Sequence, residues 1–89
     1  MVSVRAVPAH DELHREGESL VLVDGQVHRV SALGTVLRER AAVPATVEEL
    51  AEALVEVFGP PPDGNALGMT GEAVQVLLDA GLLETVDGR

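Results

Sequence analysis

His10 and His14 stand four residues apart in the run His10-Asp11-Glu12-Leu13-His14. On a helix this spacing would put two imidazoles on one face, which is how a zinc site begins. Three features argue against it. Asp11 stands where a zinc protease carries glutamate beside its first histidine, no third ligand lies nearby, and the chain is too short to enclose a substrate cleft. No metal site is expected. Nucleophilic chemistry fares no better, because Ser19, Ser31 and the threonines have no base and orienting group in a workable arrangement. There is no cysteine, which removes thiolate zinc sites and disulfides together. A glycine-rich phosphate loop is also missing, so neither a catalytic residue nor a cofactor is assigned.

What remains is the chemistry of recognition. Arg29 lies in the least acidic part of the chain. It can take a carboxylate in a bidentate contact or simply stand in solvent. Glu48, Glu49, Glu52 and Glu56 form either a solvated helix face or a docking surface for a basic partner.

The charge is unevenly spread. Residues 46–88 carry nine acidic side chains and no basic one, while residues 1–45 carry six acidic side chains and five arginines. A phosphate backbone would be repelled by this field, so nucleic acid is not expected as a partner. At 89 residues the chain has the length of one domain, taken as residues 1–89. A domain of this size buries only about 60% of its unfolded surface, so its core must be dense. The 46% apolar content meets that need with Leu, Val and Ala, since Phe58 is the sole aromatic residue. No run approaches the ~18 apolar residues of a membrane span, and no apolar stretch of a secretion signal follows Met1-Val2-Ser3-Val4-Arg5. The expected location is cytoplasmic, without membrane contact.

The elements that must position these residues follow from local patterns. Val2–Pro8 alternates weakly and predicts a short strand. His10–Glu18 is polar, contains Gly17, and predicts a loop or a single helical turn, so residues 1–18 form an N-terminal strand and loop. Ser19–Val23 and Gln26–Val30 flank Asp24-Gly25, a strong signal for a two-residue hairpin. Ser31 can cap a helix over Ala32–Ala41, which Pro44 follows. Thr46-Val47-Glu48-Glu49 has the form of a capping box for a helix ending at Gly59, ahead of Pro60-Pro61-Pro62. Asp63–Gly68 predicts a loop, Thr70 a third cap, and Ala80-Gly81 the end of that helix. Residues 84–89 are expected to fray. The expected fold is α+β, a three-stranded antiparallel sheet followed by three helices.

Three blocks in this order resemble the PqqD-like family, the recognition elements of pathways that modify ribosomally made peptides. They are Val30-Ser31-Ala32-Leu33-Gly34 after the hairpin, Thr46-Val47-Glu48-Glu49-Leu50, and the closing Ala80-Gly81-Leu82-Leu83. The resemblance covers about Leu20 to Leu83. It implies a winged helix-turn-helix domain without catalytic activity. Such a domain binds the leader of a precursor peptide as an added strand beside the third helix. It then presents that peptide to a partner enzyme, which in the family is a radical-SAM maturase, a leader peptidase or a cyclase.

The residues themselves point partly the same way. Gln26, Val27, His28, Arg29 and Val30 contain no proline and one permanent charge, so the strand is fit for β-augmentation unless it is central or covered. The third helix is apolar over all but one stripe. Val74, Leu77 and Leu78 either line a groove there or pack against the second helix and sheet. His28 and Val30 share the strand face opposite Arg29, so His28 would meet a bound peptide through its backbone. An exposed edge also invites a homodimer by strand exchange. Two rival functions fit the same pattern. One is a winged-helix transcription regulator; the other is a subunit that docks on an enzyme and binds no peptide.

Overall fold

Asp24 and Gly25 both take positive φ, 50° and 78°, as a type I′ turn requires. They join strands Glu18–Val23 and Gln26–Val30 in the expected register, with Val23 opposite Gln26 and Ser19 opposite Val30. The computed structural model describes residues 2–87 in the order β1 (Val2–Ala6), β2 (Asp11–Arg15), β3 (Glu18–Val23), β4 (Gln26–Val30), α1 (Ala32–Arg40), α2 (Val47–Phe58), α3 (Ala66–Asp79) and β5 (Leu83–Asp87). The fold is α+β, with a three-stranded antiparallel sheet ordered β2-β3-β4 and three helices.

The expected first strand does not join that sheet. Its place is taken by β2, in the segment expected to be a loop or helical turn. A second type I′ turn at Glu16-Gly17, with φ of 54° and 84°, folds β2 back onto β3. All five residues of β2 are exposed, so they carry no burial pattern to read. β1 instead pairs with β5 in a separate two-stranded sheet, Val2 opposite Asp87 and Ala6 opposite Leu83. Residues 84–87, expected to fray, are therefore strand, while residues 88 and 89 of that expected tail lie outside the described residues. The other edge of β1 is also occupied: Val4 exchanges two backbone bonds with Ala45, and Ala6 N–H donates to Ala41.

Helix starts follow cap chemistry. Ser31 Oγ accepts from Gly34 N–H at 3.2 Å, as expected for α1. At α2 the capping box is complete: Glu49 N–H donates to Thr46 Oγ1, and Thr46 N–H donates to Glu49 Oε1 at 2.8 Å. Thr46→Ala is expected to cost about 1 kcal/mol of stability, the usual loss of an N-cap. Coincident thermal melts of mutant and parent would contradict this. For α3 the cap lies five residues before the expected Thr70. Asn65 caps it, with Oδ1 accepting from Gly68 N–H at 3.0 Å, and Thr70 lies fully buried inside the helix. Asparagine caps as well as threonine does, and the glycines at 68 and 71 are tolerated in the first turns, so the helix extends back to Ala66.

The core is aliphatic. Val21 and Val23 of β3, Val30 of β4, Leu37 of α1, Leu50 and Leu54 of α2, and Val74 and Leu77 of α3 meet there with Val4, Leu82 and Leu83. Arg38 is the charged residue set deepest, 7% exposed. Its guanidinium donates to Glu12 Oε1 at 2.6 Å, to the Val7 carbonyl at 2.7 Å and to the Leu82 carbonyl at 3.4 Å. One side chain of α1 thus ties together β2, the β1–β2 link and the entry to β5. Beside it, the Ser19 and Thr35 hydroxyls form a buried pair at 2.8 Å.

Candidate peptide-binding groove

Because the β3–β4 hairpin closes on two residues, Val23/Gln26, Val21/His28 and Ser19/Val30 are its hydrogen-bonded pairs. Val27 and Arg29 therefore turn their backbone N–H and C=O groups away from β3. β4 is the last strand of its sheet, and among the described residues no other segment bonds to that edge. Val21 and Val23 face the core, which places Gln26, His28 and Val30 on the inner face with them. Val30 is buried and His28 half-buried, while Gln26 is exposed near the turn. Val27 and Arg29 stand on the outer face; the Arg29 Nε donates to Glu18 Oε1 at 3.2 Å.

Beside this edge lies a groove of about 400 Å³ between β4 and α3. Ala73, Val76, Leu77 and Ala80 form its helical wall, at positions i, i+3, i+4 and i+7. Leu33 and Gly34 of α1 contribute to its lining. Gly34 is needed for close packing at this point: a Cβ there would lie 2.8 Å from Val30 Cγ1 and 3.7 Å from Leu77 Cδ2. The groove is largely apolar, and among the described residues Arg29 is the one formal charge lining it.

The structure thus brings His28, Arg29, Val30 and Leu77 together. Gln26 and Val27 lie along the same strand but do not line the groove. Two of the expected helical residues are elsewhere. Val74 points into the core, 3% exposed, and Leu78 packs partly buried against the core. Val76, 65% exposed, is the groove residue that sequence reasoning missed, with Ala73 and Ala80. The wide apolar arc showed that α3 has more than one apolar face. It could not show which face turns toward the core.

The histidine pair does not share a helix face. His14 lies in a strand, where helical spacing does not apply, and its Nε2 is 3.7 Å from Glu12 Oε1. Among the described residues no group of three or more His, Cys, Asp or Glu side chains could hold a metal ion. A separate depression beside Arg38 is lined by Glu12, His14, Ser19 and Thr35, side chains largely engaged in the contacts described above.

α3 carries Glu72 and Asp79 and no basic residue. The protein is expected not to bind duplex DNA at physiological salt, since α3 and the rest of residues 46–88 carry nine acidic side chains and no cation to meet phosphate. Sub-micromolar binding of unrelated duplexes in a gel-shift assay would contradict this. No helix among the described residues is long and apolar enough to cross a membrane. The chain matches no family model, no curated protein and no solved structure.

Proposed function

We propose that this protein is a non-catalytic adaptor of the PqqD-like, winged helix-turn-helix type. It binds the leader of a ribosomally made precursor peptide and presents it to a modifying or leader-cleaving enzyme. The observation that carries the reading is a free strand edge beside an apolar helical wall: β4 against Ala73, Val76, Leu77 and Ala80. An extended peptide would pair its backbone with Val27 and Arg29. Its alternate side chains would fall into the groove, so that the backbone supplies affinity and the wall supplies selectivity. Arg29 gives a carboxylate on the peptide a partner at the rim. The enzyme served would be a radical-SAM maturase, a leader peptidase or a cyclase, and the adaptor would work in the cytoplasm. In the absence of leader, a second copy could use the same edge by strand exchange.

The test is selection from a displayed library of random peptides about 12 residues long, enough for an added strand with flanks. Enriched peptides should protect the Val27 and Arg29 amides from hydrogen exchange and shift the resonances of Val76 and Ala80. A selection that yields no binder, or binders that leave β4 unprotected, would reject the reading.

A further inference from the structure

A second exposed apolar surface lies on the opposite end of α3 from the groove. Ala51 and Val55 of α2 meet Ala66 and Leu67 of α3 in a shallow furrow, and Glu48 and Glu52 rim it. Phe58 continues the Ala51–Val55 row by helical spacing. Leu67 is 51% exposed and Phe58 50%. Glu48, Glu52 and Glu56 run beside this row at i, i+4 and i+8, one carboxylate for about every 6 Å of helix. Glu56 is 3.6 Å from Arg40, whereas Glu48 and Glu52 have no ion-pair partner among the described residues. Glu48 also sits in the first turn of α2, where the helix dipole alone would favour it. That account does not extend to Glu52, one turn further in.

We propose that this furrow docks a basic amphipathic helix of a partner protein. The occupant would carry Lys or Arg every fourth residue against the carboxylate row, and Leu-like side chains against Leu67, Val55 and Phe58. Charge complementarity selects it, since no cation among the described residues lines the furrow and an acidic or neutral helix would leave the glutamates unmatched. Leu67 and Val76 are nine residues apart on α3, about 13 Å along its axis. A peptide on β4 and a helix in the furrow can therefore be held at once.

The probe is a capped 15-residue Leu/Lys peptide with lysines four apart beside a leucine row, titrated into the labelled protein and followed by NMR. Shifts should concentrate at Ala51, Glu52, Val55 and Leu67. The double variant Glu48→Lys/Glu52→Lys should weaken binding about tenfold or more, and Leu67→Ser by several-fold with little salt dependence. Glu52→Lys alone serves if the double variant does not fold, and should still weaken binding several-fold. The same peptide with Glu for Lys should not bind. Three results would overturn the proposal: shifts spread evenly over Asp63, Glu72 and Glu84 as well, charge-reversed variants that bind like the parent, or the same shifts produced by raising the protein concentration alone. Peptides selected on β4 should bind these variants as they bind the parent, so failure here leaves the adaptor reading untouched.

Discussion

Arg38→Ala is expected to cost about 3–5 kcal/mol of stability, the usual consequence of breaking a buried charge network from one side. Stabilities of folded domains lie near 5–15 kcal/mol, so the variant would hover at the edge of folding. The cost is not mainly that of the ion pair. The Glu12 side chain is 36% exposed and its attraction to Arg38 is partly screened. The larger loss is at the Val7 carbonyl, which would lose its donor, whereas the Leu82 carbonyl, reached by Arg38 at 3.4 Å, keeps the Val7 N–H at 3.0 Å. Glu12→Gln, which keeps an acceptor, should therefore cost under about 1 kcal/mol. Arg38→Lys should rescue little, because an ammonium lacks the planar fork that reaches three acceptors in different directions. Urea denaturation read by circular dichroism measures all three variants. An Arg38→Ala midpoint equal to that of the parent would remove this residue as the tie between β2 and β5.

Val76→Asp is expected to weaken a peptide selected on β4 by about 2 kcal/mol or more, which is tenfold or more in affinity. Val76 is 65% exposed in the free protein, so folding should not suffer beyond the like-charge proximity of Glu72 and Asp79. In the complex the new carboxylate would be buried against an apolar side chain without a partner. Leu78→Asp is the informative contrast. Leu78 packs against the core, so that substitution should lower stability and leave the folded fraction's affinity nearly intact. Arg29→Ala should have a smaller effect than Val76→Asp, one that shrinks as salt rises, because the Arg29 side chain is 80% exposed. Calorimetric titration of the folded variants measures these differences. Parent-like affinity in Val76→Asp would move the binding site off the β4–α3 groove.

Residue chemistry made some of this structure readable and hid the rest. The Asp24-Gly25 turn, the Ser31 cap and the Thr46–Glu49 box each act within a few residues, and each is found where its chemistry places it. The Glu16-Gly17 turn is hard to read because glutamate is a poor residue for positive φ, and because all five residues of β2 are exposed and show no burial alternation. β5 was hidden for a different reason: its partner, β1, is at the other end of the chain. The groove was half legible. The free edge of β4 could be inferred from its composition, but the rotation of α3 depends on packing against α2 and β5. That packing chose Val74 over Val76 for the core.

The pairing of Val2 with Asp87 bears on how the molecule reaches this structure. β2, β3 and β4 zip through two tight turns, so their contacts close short loops and can form early. The β1–β5 ribbon must instead close a loop spanning nearly the whole chain, and helices formed between its strands would shorten that loop, so it is expected to pair late. Substitutions in that ribbon, such as Thr85→Gly, should hasten unfolding while leaving the folding rate nearly unchanged. On this reading β4 and its free edge belong to the part of the protein expected to assemble first, and the β1–β5 ribbon that packs against α3 to the part expected to assemble last.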